Sequence, residues 1–135
     1  MKYFSDSVKQ TYAIAKTLAD TLIGGEIILL NGQLGAGKTT FTKGLAQALG
    51  IEKTVKSPTF TIMKSYQGRL KLNHFDMYRL QNEADAQELG FDEVMGDNLA
   101  VCVIEWNKLD SFSGKIISVD IKYVSENGRE IVISE

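Results

Sequence analysis

The run Gly32-Gln33-Leu34-Gly35-Ala36-Gly37-Lys38-Thr39 constrains this chain more than any other feature, because it matches the pattern GxxxxGK[ST] in full. Glycines in such a loop let the backbone curl round a phosphate chain with its amide hydrogens pointing inward, where side chains would collide with phosphate oxygens. The pattern demands a buried strand before it and an amphipathic helix after it. Ile27, Ile28, Leu29 and Leu30 form the apolar block expected of a strand buried on both faces. Phe41, Leu45, Ala48 and Leu49 then recur at helical spacing until Gly50 stops the run. Together these predict a P-loop for a nucleoside triphosphate and magnesium. Lys38 would meet the β and γ phosphates, the Thr39 hydroxyl would ligate the metal, and Gly35, Ala36, Gly37 and Thr40 would complete the cradle.

The chain has 135 residues, enough for one domain with a real core and too few for two. Ser7 and Gln10 resemble a capping box ahead of an apolar stripe, Val8, Ala15, Leu18, Ala19 and Leu22, which ends at Gly24-Gly25. Residues 60–66 and 69–75 flank Gln67-Gly68 as a hairpin, with Leu70 and Leu72 alternating against Lys71 and Asn73 as in a half-buried strand. Residues 83–89 predict a short helix closed by Gly90, and Ala100–Ile104 a fully apolar strand leading into Glu105 and Trp106. Ile117, Val119, Ile121 and Tyr123 alternate with polar residues, and Asn127-Gly128 turns the chain into a closing hairpin. The pattern is α/β with antiparallel additions.

Composition excludes several classes. No apolar run approaches the length of a membrane span, and residues 1–7 lack the apolar core of a secretion signal, so a cytoplasmic location is the expectation. Cys102, the only cysteine, sits among Val101, Val103 and Ile104 and reads as a core thiol. A net charge of -2 with three arginines, Arg69, Arg79 and Arg129, argues against tight direct binding of nucleic acid.

A P-loop needs a carboxylate opposite it, to hold magnesium or its water shell and to orient attacking water. Asp76 and Glu105 each fall at a strand end, the edge where open α/β sheets bind ligands. His74 alternates toward the same face as Leu72 and reads as a packed histidine. Ser57-Pro58-Thr59 occupies the place of a γ-phosphate-sensing loop but is an ordinary turn sequence by itself. Asn107-Lys108-Leu109-Asp110 fits the NKxD pattern that reads guanine, yet no aspartate has glycine three residues later as a GTP switch requires. A small-molecule kinase, a GTP-dependent switch and a nonenzymatic nucleotide-holding module therefore stand as alternatives to an ATPase.

Leu30–Thr40, Lys-Ser-Pro-Thr-Phe-Thr at 56–61, His-Phe-Asp-Met-Tyr-Arg-Leu at 74–80 and Ile104-Glu105-Trp106 occur in the order seen in the TsaE (YjeE) family, which the chain resembles from about Ser5 to Ile133. The resemblance implies a P-loop NTPase-like three-layer α/β fold with central parallel strands flanked by antiparallel ones. It also implies a weak Mg-dependent ATPase that acts with TsaB-like and TsaD-like subunits in forming threonylcarbamoyladenosine at position 37 of tRNA, the tRNA being held through those partners. Carried over by residue, Thr39 and Glu105 are magnesium ligands and Asp76 is the carboxylate needed for hydrolysis. Thr11 and Arg129 lie near the nucleotide, and Trp106 to Leu109 border the base. Gln33 stands where the family has aspartate, and Asn107 where proline follows Glu-Trp.

Overall fold

Seven strands join in one mixed sheet in the computed structural model, which describes residues 1–56, 58, 62–88 and 90–135. In chain order the elements are β1 (Lys2–Ser5), α1 (Val8–Ala19), β2 (Ile27–Asn31), α2 (Lys38–Ala48), β3 (Met63–Tyr66), β4 (Lys71–Asp76), α3 (Glu83–Glu88), α4 (Phe91–Val94), β5 (Ala100–Glu105), β6 (Ile116–Tyr123) and β7 (Arg129–Ser134). The sheet order is β1-β7-β6-β2-β5-β4-β3. The four central strands β6, β2, β5 and β4 are mutually parallel, while β7, β1 and β3 are added antiparallel. The expected α/β arrangement is therefore present.

Alternation along the central strands separates two cores. Ile28 and Leu30 of β2 face α1 and α2, packing with Ile14, Ala15, Leu18, Phe41 and Leu45. Ile27 turns the other way, into a smaller cluster with Phe75, Cys102, Ile104, Ala86 and Phe91. Each fully buried aliphatic side chain contributes about 1.5–3 kcal/mol. Helices on both faces of the parallel strands explain why β2 and β5 are apolar blocks rather than alternating patterns. Cys102 lies in that smaller core, and burial pushes its thiol up to about 11.

Several local expectations need correction. Strand β4 is buried along nearly its whole length, not half-buried, because it lies between β3 and β5 with cores on both faces; even Asn73 is buried, its Oδ1 accepting from the Ser65 hydroxyl at 2.6 Å. The 127–128 pair is part of a loop from Val124 to Gly128, closed by Val124 N–H donating to Gly128 O and Gly128 N–H donating to Ser125 O. Gln10 accepts from the Asp6 amide, while Ser7 Oγ caps α1 by accepting from Gln10 N at 3.1 Å. Strand β1 and helix α4 were not foreseen. Among the described residues no helix is long and apolar enough to cross a membrane.

Helix α2 must lie against β2 for its N-terminus to face the strand ends, and α1 holds it there. At Gly44 a Cβ would stand 2.9 Å from Ala15 Cβ and 3.0 Å from Tyr12 Cα, so the two helices touch backbone to backbone. Gly44→Val is expected to force them apart and destabilise the fold by about 1–3 kcal/mol. A melting curve should fall by about 5–10 °C; an unchanged Tm would refute this account of the helix contact.

Candidate nucleotide site

The glycine-rich 32–37 loop leaves β2 at Asn31 and enters α2 at Lys38, so its residues arch over the carboxyl edge of the parallel strands. Gly35 and Gly37 adopt φ of +80° and +108°, backbone that side-chain-bearing residues rarely reach. Among the described residues no side chain caps α2, which leaves its first amides open to an anion. Arg129 of β7 ties the loop from behind: its Nε donates to Ala36 O at 2.8 Å, and its Nη1 donates to the carbonyls of Ser125 and Gly128. The guanidinium also stacks on Tyr123, 4.7 Å from the ring centre.

Beneath the arch, Asp76 and Glu105 are register partners at the ends of β4 and β5, and Glu105 is also level with Leu30 of β2. Both carboxylates are buried, as is Lys38. Tyr78 N–H donates to Asp76 Oδ1 at 2.9 Å, fixing that side chain. Lys38 donates to Gly32 O at 2.7 Å and lies 3.6 Å above the Trp106 ring. Burial pulls the Lys38 ammonium below its ordinary range, and the charges of Glu105 and Asp76 act in the opposite sense. Trp106 holds its ring there from a positive φ of 56°, which costs about 1–3 kcal/mol for a residue of its kind. Tyr78 packs edge-on against the same ring.

These groups line one open cleft of about 470 Å³, bordered by Gly35, Gly37, Lys38, Thr39, Thr40, Asp76, Glu105, Trp106 and Arg129. A smaller cavity of about 110 Å³ opens on the other side of Gly37 and Thr40, between Ser7, Thr11, Ala36, Asn127 and Arg129. Thr11, Gly35, Ala36, Gly37, Lys38, Thr39, Thr40, Asp76, Glu105, Trp106 and Arg129 thus border one or both of two adjoining spaces, whereas Asn107 to Leu109 line neither. Trp106 stands at the lysine end, not beside Thr11. Thr11 is held by a directed chain of hydroxyls: Ser5 donates to Ser7 O at 2.8 Å, so Thr11 must donate to Ser5 Oγ, 2.7 Å away. The remaining lone pairs of Thr11 can only accept.

His74 is completely buried and its Nε2 lies 2.5 Å from Glu105 Oε2. Asn107 spends its amide within its own loop, accepting from Leu109 N and donating to Leu109 O, both at 2.9 Å. The NKxD match is therefore accounted for by loop closure around the buried Leu109. Gln33 is exposed on the arch, and Arg79 is exposed in the turn that follows β4. Ser57 and Thr59 lie outside the described residues. Sequence reasoning missed Tyr78, although it stands two residues past Asp76, and Ser5, which no local signal marks.

The chain matches the family model described as "Threonylcarbamoyl adenosine biosynthesis protein TsaE" over residues 5–131. It is 41% identical to the tRNA threonylcarbamoyladenosine biosynthesis protein TsaE of Bacillus subtilis, covering 99% of this chain and 85% of that protein. It is 35% identical to the protein of the same name from Treponema pallidum, covering 99% of this chain and all of that one. The crystal structure of Bacillus subtilis YdiB superposes with a TM-score of 0.81 at 38% identity, covering 98% of this chain and 83% of that one.

Proposed function

Since the chain belongs to the TsaE family of threonylcarbamoyl adenosine biosynthesis proteins, we propose that it is the subunit that binds and hydrolyses Mg-ATP for tRNA threonylcarbamoyladenosine formation. The observation that carries the reading is Lys38 facing two buried strand-end carboxylates, Asp76 and Glu105, at the uncapped N-terminus of α2. Two negative groups and one cation in a buried corner suit a phosphate chain that arrives with a divalent ion.

The residues fit such a group. The loop amides and α2 would bind the β-phosphate, with Lys38 between the β and γ positions. Thr39 and Glu105 would hold magnesium, which neutralises charge on the transferring phosphoryl group. Asp76, held by Tyr78 N–H, would orient a water in line with the γ-phosphorus. Attack forms the water oxygen–phosphorus bond and breaks the bond to the β-phosphate oxygen, giving ADP, phosphate and a proton. The nucleoside would lie on the Thr11 side, because Thr40 and Gly37 border both spaces. There Thr11, restricted to accepting, suits a hydroxyl or amino hydrogen of the nucleoside. The engagement of Asn107 by Leu109 supports ATP over GTP.

Hydrolysis would serve an assembly with TsaB-like and TsaD-like subunits, resetting it between turnovers. The low number of arginines, three in the chain, is one reason to expect slow turnover of the isolated protein. Phosphate release should be slow alone and rise at least tenfold on adding both partner subunits, with ATP outcompeting GTP. No release above background in the full mixture, or phosphate appearing on an acceptor molecule, would refute the ATPase reading.

A further inference from the structure

The bond between His74 and Glu105 joins two buried side chains from neighbouring strands, β4 and β5, at the floor of the cleft. A carboxylate can only accept, so the shared proton belongs to His74 Nε2. His74 Nδ1 is buried and has no hydrogen-bond partner among the described residues. The bonding therefore selects one tautomer, with hydrogen on Nε2 and a bare Nδ1. It also distinguishes the two oxygens of Glu105. Oε2 is committed to the imidazole, which leaves Oε1 as the oxygen to turn toward the cleft that Glu105 lines with Thr39.

We propose that His74 is a positioning residue that fixes the Glu105 carboxylate so that a single oxygen, Oε1, is presented to magnesium or its water. The inference rests on the Mg-nucleotide reading of the cleft. A carboxylate on three rotatable bonds would otherwise sample several orientations, and one buried donor removes most of that freedom. Hydrogen bonds to the outer oxygen of a ligating carboxylate govern metal affinity in the same way, typically by 10–100-fold. His74 touches neither nucleotide nor metal in this arrangement.

The test uses the full chain as wild type, His74→Ala, His74→Gln, Glu105→Gln and the His74→Ala/Glu105→Gln pair. ATP affinity is measured with metal chelated, followed by the Mg2+ concentration that half-saturates the gain in affinity. Metal-free ATP binding should stay within about threefold of wild type in His74→Ala and His74→Gln. The Mg2+ midpoint should rise about 10–100-fold in His74→Ala and return most of the way in His74→Gln, whose side-chain amide can donate from near the Nε2 position. In the Glu105→Gln background, adding His74→Ala should change the midpoint less than twofold.

His74 is the only histidine, so its imidazole 15N resonances are unambiguous. They should report Nε2–H with bare Nδ1, and should move on adding Mg2+ to the ATP complex of wild type but not of Glu105→Gln. An unchanged midpoint in His74→Ala would overturn the proposal. So would equal weakening of metal-free and metal-bound ATP, which is the signature of a purely structural role. If His74→Ala does not fold, His74→Gln is set against His74→Asn, which is too short to donate from that position; equal midpoints for the two would also overturn it. Wild type that binds no ATP, or binds it with no response to Mg2+, would instead bring down the Mg-nucleotide reading together with the inference.

Discussion

Lys38→Ala should weaken ATP binding by about 10²–10³-fold, the largest single loss expected of any substitution in this chain. Lys38 is the cation that faces both cleft carboxylates; Arg129, the other cation bordering the cleft, is tied to backbone carbonyls behind the loop. A charge-assisted hydrogen bond contributes about 1.5–3 kcal/mol, and an ammonium between two phosphates makes more than one. Removing it would also leave Asp76 and Glu105 to repel the arriving phosphates. Stability should change little, since the desolvation of a buried ammonium is relieved as its attraction to the carboxylates is lost. Calorimetric titration with Mg-ATP, alongside a melting curve, separates these outcomes. Folded Lys38→Ala that binds ATP within threefold of wild type would remove the P-loop lysine from the account.

Asp76→Asn should leave ATP affinity within about threefold and lower partner-stimulated hydrolysis by about 10²–10³-fold. The substitution preserves shape and the acceptor for Tyr78 N–H, and it removes the charge that would orient and polarise the attacking water. Glu105→Gln makes the contrast, because its first effect should be on the magnesium requirement. Single-turnover rates at saturating Mg-ATP are the measurement, so that binding and chemistry are not confused. Undiminished turnover in Asp76→Asn would sink its assigned role.

The 32–39 loop was legible because holding a phosphate chain would force a local pattern: glycines at fixed spacing, a lysine, a hydroxyl, and the buried strand and helix that must flank them. Asp76 and Glu105 were legible as strand ends, and the register across β4 and β5 brings them side by side. What the sequence did not reveal depends on contacts between distant segments. Strand β1 has no apolar run and exists through its pairing with β7, Tyr3 opposite Ile131. The burial of Asn73 follows from β3 and β5 closing on both sides of β4. Trp106 was assigned to the border of the base; the contact that no pattern marked is with Lys38, onto which its strained backbone turns the ring. His74 was read as packed. It is, but no periodicity could reveal that its partner would be Glu105, thirty-one residues away.

The central claim is that this chain supplies nucleotide hydrolysis to tRNA threonylcarbamoyladenosine formation through the Lys38 cleft. Its most direct test is multiple-turnover formation of threonylcarbamoyladenosine on tRNA, reconstituted with the other components of the pathway and either wild-type chain or Lys38→Ala. The account predicts sustained turnover with wild type and, with Lys38→Ala, no more product than about one equivalent of the assembly. Sustained turnover at the wild-type rate with Lys38→Ala would contradict it.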